Sequence, residues 1–383
     1  MNIFFMNSIG EDTWGGGEKW MLTTADGLRD RGHRIYFAGR ANSLFLHRCT
    51  EKNFPVFPMS IKSDFGLKNI LKLYRFFKKN QIQVIIANFN KDARLSGIAR
   101  KLARVPVLVA RNGLPILENN WRYRWTYRYL VDGIITNTNA IKNRYLSYGW
   151  LPKEFIQVIY NGIDIDQEKN FEKKAILEEF QLPPEKKIVG IFGRLVKQKQ
   201  HNLFLEAAQK ILEGFRNVHF IIVGDGPLRN TIEKQIRSQG LSDFVQLLGQ
   251  QKKVMALYNI CDVILLTSED EGLPNVVMEA MLTGTPVVAF DVGGVRELIN
   301  SDEVGYVVPS NDTQLMAVKT LKLLENSNLA KKICKAAKIR IQENFRLDQM
   351  IDRIEEYLIR KLDESSEKMF SKNCKKISER VLE

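Results

Sequence analysis

Apolar residues along the first 160 positions fall into short runs separated by longer amphipathic stretches. The runs are rich in β-branched residues and end at Gly, Pro, Asn or Asp, as is typical of buried parallel strands joined by crossover helices. A second alternating series begins at Lys187. The pattern therefore predicts two α/β units, with strands at 3–6, 34–37, 84–87, 107–110, 134–136 and 156–159, and then at 188–192, 219–223, 245–248, 263–266, 287–289 and 306–308.

The predicted boundary between the units lies in a polar, charged stretch. Residues 164–186 contain the pair Pro183 and Pro184, which favours a linker with one short helix over a core segment. We therefore expect an N-terminal domain at 1–163 and a C-terminal domain at 187–345. The pattern is helical after Pro309, so residues 346–383 are predicted to form a C-terminal helix with a charged tail.

Composition excludes some classes of protein and leaves others open. Hydrophobic residues make up 44% and charged residues 26%, which excludes wholesale disorder. Lys and Arg total 57 against 44 Asp and Glu, so nucleic acid, an anionic membrane and phosphate-bearing small molecules all remain candidate partners. The cysteines form no C-x-x-C pair, and no stretch approaches the roughly 18 apolar residues of a membrane span. With no recognisable signal peptide, a cytoplasmic location is expected.

Two predicted strand-to-helix loops are suited to binding an anion. Gly15 to Gly17 and Glu18 follow the first strand, where consecutive glycines allow backbone N–H groups to approach a ligand. A tight turn in which Glu18 complements the helix dipole explains the same pattern. In the second unit, Arg194 and Lys199 lie between a strand and a helix, as a diphosphate site requires. A solvated basic loop is the alternative.

A third loop contains two carboxylates beside a predicted helix start. Pro274 and Asn275 stand where the helix should begin, and Gly272 permits close approach of the backbone. Free N–H groups there can receive phosphate, while Glu271 and Glu279 can accept hydrogen bonds from sugar and ribose hydroxyls. Stabilisation by the helix dipole would explain either carboxylate alone, but not the whole string.

These motifs together identify a family resemblance. Seven residues separate Glu271 from Glu279, and further motifs lie at 15–18, 160–164, 193–199, 223–226 and 292–298. The set closely resembles the retaining family 4 glycosyltransferases of the GT-B fold. The resemblance implies an α/β chain of two Rossmann-like domains whose parallel sheets face an interdomain cleft. It also implies that the C-terminal domain holds a nucleotide-sugar donor and that the final helix crosses back to the N-terminal domain.

The same resemblance implies roles for individual residues. Arg194 and Lys199 would bind the diphosphate of a UDP- or GDP-linked sugar and, with Glu271, form the catalytic set. Glu271 would hold hydroxyls of the transferred hexose, and Glu279 would accept hydrogen bonds from the ribose. No metal and no cofactor beyond the donor are expected. The other donor contacts implied are Gly16, Gly17, Gly272, Leu273, Asn275 and Val276.

The chain departs from the family pattern at two points. Family members often have a His after the strand at 84–87, but Asn88 and Asn90 stand here. Either amide could contact the sugar, although neither can transfer a proton as His does; Arg111 is a further candidate contact of sugar or acceptor. No carboxylate of the N-terminal domain stands out as a nucleophile, and Asp92 is only the nearest candidate. We therefore favour same-face displacement, in which the leaving diphosphate oxygen takes the acceptor proton. The glycine that usually follows the lysine is replaced by Gln200.

The acceptor is expected at a membrane surface. Segments 65–79 and 121–129 combine aromatic residues with Lys and Arg, which suits anionic headgroups, although crossover helices that bury one face share this pattern. We expect the N-terminal domain to meet a lipopolysaccharide, capsule or lipid-linked acceptor on the inner face of the plasma membrane.

Two other functions fit the sequence less well. A GT-B nucleotide-sugar epimerase would require acid/base groups in the cleft. The chain lacks the His that family members often have after the strand at 84–87, which argues against this function. A nucleic-acid-binding protein is favoured only by charge and the Arg/aromatic run, so nucleic acid is not an expected partner.

Overall fold

The computed structural model describes residues 1–61, 66–167 and 172–381. Its contacts divide the chain into a first unit, Met1–Tyr160 with Asp348–Glu383, and a second unit, Asn161–Leu347. The described part of the expected linker, 164–186, belongs to the second unit. It is held there because Ile176, Leu177 and Leu182 are buried, and because the Gln246 side chain donates a hydrogen bond to the Phe180 carbonyl (3.1 Å).

The first unit contains a seven-stranded parallel sheet in the order β3-β2-β1-β4-β5-β6-β7. Every residue of the central strands β4 and β5 is buried, which explains their continuous apolar runs. The strands are β1 (Asn2–Asn7), β2 (Arg34–Arg40), β3 (Val56–Met59), β4 (Val84–Ala87), β5 (Val107–Asn112), β6 (Gly133–Thr136) and β7 (Ile156–Val158). The helices are α1 (Gly16–Asp30), α2 (Leu44–Glu51), α3 (Leu67–Lys79), α4 (Asn90–Ala103), α5 (Trp121–Tyr129) and α6 (Asn139–Leu146).

Strand β3 is the one element of this sheet that the sequence pattern did not predict. It is four residues long and contains Pro58, which cannot donate a hydrogen bond. It lies at the sheet edge, where proline is tolerated.

From Asp348 onwards, the last helix, α15 (Leu347–Val381), belongs to the first unit. Its residues Ile354, Tyr357 and Leu358 are buried. Gly133 lies directly beneath it, since a Cβ there would be 2.1 Å from the Tyr357 hydroxyl.

The second unit contains a six-stranded parallel sheet in the order β10-β9-β8-β11-β12-β13. The predicted fold class, two α/β units with parallel sheets, is confirmed. Each sheet has one point where the strand order reverses, between β1 and β4 and between β8 and β11. Open α/β sheets bind ligands beyond the carboxyl ends of the strands at such points. The strands are β8 (Lys187–Phe192), β9 (Val218–Val223), β10 (Val245–Gly249), β11 (Val263–Leu266), β12 (Val287–Phe290) and β13 (Tyr306–Val308). The helices are α7 (Lys173–Glu179), α8 (His201–Gly214), α9 (Arg229–Ser238), α10 (Val254–Ile260), α11 (Asn275–Leu282), α12 (Val295–Leu298), α13 (Thr313–Glu325) and α14 (Ser327–Asn344).

Candidate active site

Glycines after β8 and β9 allow the two loops to pack backbone against backbone. Gly193 has φ 149° and Gly224 has φ 138°, conformations that favour glycine. A Cβ at Gly224 would lie 1.9 Å from the Gly193 carbonyl oxygen, and one at Gly226 would lie 2.7 Å from that of Leu195. The Gly-x-Gly at 224–226 therefore has a packing role at the edge of the site.

An ion pair joins the loops after β8 and β11, at the strand-order reversal of the second unit. Lys199 Nζ donates to Glu271 Oε1 at 2.5 Å, and the two side chains are only 18% and 10% exposed. Thr267 Oγ1 donates to the carbonyls of Lys199 (3.0 Å) and Gln200 (3.2 Å), which holds the lysine backbone in place. A cation and a carboxylate that were predicted as catalytic are thus in direct contact.

Gln200, which stands where the family pattern has a glycine, adopts a left-handed backbone conformation. Its φ and ψ are 46° and 51°, in the left-handed region that non-glycine residues rarely occupy. The turn after Lys199 therefore contains a left-handed residue that is not glycine, at a conformational cost.

Arg194 follows β8 and Gly193 and lies exposed at the surface. Its guanidinium has no hydrogen bond or ion pair among the residues that the structure describes. The fork of N–H donors is therefore open to a ligand, in contrast to Lys199, which already has a carboxylate partner.

Helix α11 begins directly after Pro274, and its first N–H groups, those of Asn275 and Val276, have no intrahelical acceptor. Asn161 Nδ2 donates to Asn275 Oδ1 (3.1 Å) and to the Leu273 carbonyl (3.4 Å), so part of the 160–164 motif supports this helix start.

The 292–298 motif supports the loop before that helix. The Gly294 N–H donates to the Gly272 carbonyl at 2.8 Å. A Cβ at Gly293 would lie 1.7 Å from the Glu271 carbonyl oxygen, so only glycine fits.

Glu279 is oriented by a residue that sequence reasoning missed. Tyr258 Oη donates to Glu279 Oε2 at 3.0 Å, and the tyrosine ring stacks on Phe192 with 4.0 Å between centroids. Burial, reinforced by the Glu279 charge, raises the pKa of Tyr258 well above its ordinary value, so the phenol stays protonated as a donor. A tyrosine in the middle of α10 has no local sequence signal that would identify this role.

In the first unit, the predicted glycine loop is closed by Glu18, which is buried. Glu18 Oε2 accepts from the Gly15 N–H at 3.0 Å, and Oε1 accepts from Asn7 Nδ2 at 3.0 Å and Asn88 Nδ2 at 3.5 Å. A Cβ at Gly17 would lie 3.2 Å from an Arg111 guanidinium nitrogen. Residues from the ends of β1, β4 and β5 thus meet at the start of α1.

Asn90 and Asp92 are engaged by the protein at the start of α4. Asn90 Oδ1 accepts from the Tyr127 hydroxyl (2.7 Å), and Asn90 Nδ2 donates to the Ile116 carbonyl (3.2 Å). Asp92 is fully buried, and its Oδ2 accepts from the N–H groups of Ser8 and Phe89, both at 3.1 Å. Burial raises the pKa of Asp92 to about 7. Asp92 therefore acts as a cap of α4.

The predicted site residues form two groups, one in each unit. Arg194, Lys199, Glu271, Gly272, Leu273, Asn275, Val276 and Glu279 belong to the second unit, and Gly16, Gly17, Asn88, Asn90, Asp92 and Arg111 belong to the first. No cluster of three or more metal-binding side chains occurs among the described residues. Within that part of the chain, no helix has the length and apolar character to span a bilayer.

Two protein-family models match the chain in succession. The one described as Glycosyltransferase Family 4 matches residues 14–167, and the one described as Glycosyl transferases group 1 matches residues 172–340. The chain belongs to the family 4 glycosyltransferases. The predicted family is confirmed, and nothing found supports the epimerase or nucleic-acid alternatives.

Characterised relatives of this glycosyltransferase match along most of their length. N-acetyl-alpha-D-glucosaminyl L-malate synthase of Bacillus anthracis is 29% identical over 352 residues, which cover 86% of this chain and 89% of the relative. The UDP-Gal:alpha-D-GlcNAc-diphosphoundecaprenol alpha-1,3-galactosyltransferase of Escherichia coli is 26% identical and covers 76% and 79%. HepE of Anabaena, solved with UDP, has a TM-score of 0.84 at 24% identity over 94% and 99% of the two chains, and supports the GT-B fold.

Proposed function

We propose that this glycosyltransferase transfers a hexose from a UDP- or GDP-linked donor to a glycan or glycolipid of the cell envelope, with retention of anomeric configuration. The observation that supports this most is the pairing of Lys199 with Glu271 at the strand-order reversal, beside the start of α11. Two relatives support the proposal, since one is named as using UDP-Gal with a diphosphoundecaprenol-linked acceptor and HepE was solved with UDP.

In the proposed donor complex, Arg194, Lys199 and the N–H groups of Leu273, Asn275 and Val276 bind the diphosphate. Gly272 allows the backbone to approach. Two cations and a helix N-terminus offset the charge of the departing nucleotide, so the proposal includes no metal. Loss of one preorganised donor of this kind typically lowers the rate by roughly 10²–10³. Gly16 and Gly17 remain predicted contacts of the same phosphates.

The carboxylates select the sugar and the ribose. Glu279 has one oxygen hydrogen-bonded to Tyr258, which fixes the carboxylate for ribose hydroxyls. Glu271 is held in place by its ion pair with Lys199. In the proposal, it faces hydroxyls of the hexose. Each charge-assisted hydrogen bond of this type contributes about 1.5–3 kcal/mol.

We favour displacement on one face of the sugar. The bond from C1 to the acceptor oxygen forms as the bond from C1 to the phosphate oxygen breaks, and the leaving phosphate oxygen receives the acceptor proton. Asp92 is poorly suited to be a covalent nucleophile, because it is fully buried and Oδ2 already accepts two N–H groups.

A membrane-docking surface is proposed on α5. Its solvent-facing side is defined by Trp121, Arg122, Arg124, Trp125, Arg128 and Tyr129. Trp121 is 76% exposed and Tyr129 is 54% exposed, although the same helix buries Thr126 and Tyr127. Helix α3 likewise buries one face while leaving Leu67 69% exposed; Phe65 of the predicted segment lies outside the described residues. Exposed aromatic rings beside arginines suit the inner leaflet.

Vesicle binding tests this surface. The Trp121→Ala, Trp125→Ala double variant is expected to lose sedimentation with phosphatidylglycerol vesicles. Phe370→Ala, which removes another exposed aromatic ring, is the matched control and should leave binding unchanged. Equal sedimentation of the double variant and the wild type would contradict the proposal.

Incubation with a panel of labelled nucleotide sugars and lipid-linked acceptors tests the transfer itself. We expect one donor to be consumed, the product to have the donor's anomeric configuration by NMR, and EDTA to leave the rate unchanged. An inverted product or loss of activity in EDTA would contradict the retaining or metal-independent part of the proposal.

A further inference from the structure

A basic cavity opens at the amino ends of β6 and β7 in the first unit. Its volume is about 790 Å³, and it is lined by residues of α5, α6 and α15 and of the segments before the two strands. Predicted substrate contacts of the same unit, such as Asn88 and Arg111, lie at the carboxyl ends of β4 and β5. Because the strands are parallel, these ends form the opposite edge of the sheet. The cavity is therefore separate from the predicted substrate contacts.

Unpaired cations outnumber unpaired carboxylates around this cavity. Two of its three carboxylates already have a cationic partner, since Asp132 pairs with Arg100, and Glu364 Oε2 accepts from Lys361 Nζ at 2.8 Å. The third, Glu154, is exposed. Four other lining cations have no hydrogen bond or ion pair among the residues that the structure describes, and these are Arg128, Lys142, Lys153 and Lys368. Like charges around one cavity repel each other, so an anion bound there would be attracted by all four.

Hydrogen bonds to the rest of the unit hold α15 in place as one wall of the cavity. Arg360 Nη2 donates to Gln157 Oε1 at 2.9 Å, and Ser365 Oγ donates to the Pro106 carbonyl at 3.2 Å. The lysine stripe of α15 therefore has a fixed position beside the start of β7.

The apolar part of the lining indicates which kind of anion fits. Beside the cations, the cavity is lined by Val131, Pro152, Phe155 and Ile156. A phospholipid headgroup combines a phosphate, which suits the cations, with a glycerol and the first methylene groups, which suit the apolar wall. A free phosphate would use the cations alone.

The cavity is also continuous with the solvent-facing side of α5. Arg128 belongs to both, and Trp125 and Tyr129 of that side are exposed. Aromatic rings next to basic residues are typical of the membrane interface. A lipid bound in the cavity would thus belong to the same leaflet that the rings of α5 contact.

We propose that this cavity binds the headgroup of one anionic phospholipid, with its phosphate among Arg128, Lys142, Lys153 and Lys368. The inference rests on the membrane-docking part of the proposed function and adds to it a site for a single lipid molecule. Because the cavity and the predicted substrate contacts lie at opposite edges of the sheet, the lipid does not compete with donor or acceptor.

Calorimetry with the full chain and water-soluble lipids tests the site. Dihexanoyl phosphatidylglycerol, kept below the concentration at which it forms micelles, is the anionic probe. Dihexanoyl phosphatidylcholine has the same chains and phosphate without net charge, and glycerol 3-phosphate has the phosphate without the chains. We expect phosphatidylglycerol to bind with a stoichiometry of about one, at least about tenfold more tightly than either comparison probe, and more weakly as salt is raised.

Substitutions locate the bound lipid. The double variant Lys142→Gln, Lys153→Gln removes two of the four cations and should weaken phosphatidylglycerol binding by about tenfold or more. Lys368→Gln removes the cation that α15 contributes and should weaken it several-fold. The double variant Lys78→Gln, Lys79→Gln removes the same charge at exposed lysines at the end of α3, and as the matched control should leave binding unchanged.

Equal binding of the two lipids, or an equal loss in the cavity and control double variants, would overturn the proposal. Glycerol 3-phosphate that binds as tightly as phosphatidylglycerol would overturn it too, because the site would then take a free phosphate. Wild type that transfers sugar but binds no phosphatidylglycerol would refute this inference and leave the transferase function standing. Wild type that binds phosphatidylglycerol but neither UDP nor GDP would refute the proposed function and leave the headgroup site standing.

Discussion

Replacement of Asp92 by Asn separates a structural role from a catalytic one. Burial raises the pKa of Asp92 from its ordinary 3.8 to about 7, so the folded chain holds a proton that the unfolded chain releases. The free energy of unfolding of the first unit therefore falls as pH rises from about 4 to about 7, and is level above that. At about 1.4 kcal/mol for each pKa unit, the total is roughly 4 kcal/mol, of which about 3 kcal/mol falls between pH 5 and pH 8.

Intrinsic fluorescence suits this measurement, because all five tryptophans, Trp14, Trp20, Trp121, Trp125 and Trp150, belong to the first unit. Urea unfolding of wild type and Asp92→Asn at pH 5 and pH 8 gives a double difference from which other titrating groups cancel. We expect the variant to gain about 3 kcal/mol relative to wild type between pH 5 and pH 8 and to retain transferase activity. No double difference would refute the buried-acid account. A folded variant with activity lowered more than about 10³-fold would instead indicate a nucleophile.

Three other changes have defined outcomes. Gln200→Gly should raise the free energy of unfolding by about 0.5–1 kcal/mol, measured by thermal melting, because glycine relieves the left-handed φ of 46°; a lower melting temperature would contradict this. Tyr258→Phe should raise the KM for the donor several-fold with kcat nearly unchanged, because Glu279 loses its orienting hydrogen bond; an unchanged KM would contradict it. Burial lowers the pKa of His201 to about 4, so the second unit should lose about 3 kcal/mol as pH falls from 6.5 to 4, measured by hydrogen exchange in α8; His201→Leu should lack this loss.

The features that could be predicted from the sequence are those that depend on a local pattern of residues. Buried parallel strands are continuous apolar runs, so both sheets could be located, whereas the short, proline-containing β3 at an edge could not. The motif from Glu271 to Glu279 was recognisable because a helix start, a glycine and two carboxylates are close in sequence.

Groups that orient those residues come from distant positions. Tyr258 orients Glu279, and Thr267 holds the backbone of Lys199 and Gln200, through side-chain hydrogen bonds that no periodicity indicates. The burial of Asp92 and the basic cavity beside α15 depend on packing from several strands and helices, so only the folded chain shows them.

Binding of UDP and of GDP by calorimetry to wild type, Lys199→Ala and Lys197→Ala tests the central claim most directly. Lys197 is an exposed lysine of the same loop and serves as the matched control. We predict micromolar to millimolar binding of one of the two nucleotides to wild type and unchanged binding of it to Lys197→Ala. Its binding to Lys199→Ala should be at least about tenfold weaker, because the variant removes a cation and leaves Glu271 unpaired near the diphosphate. Equal affinity of the two lysine variants would contradict the assignment of the donor site to this loop.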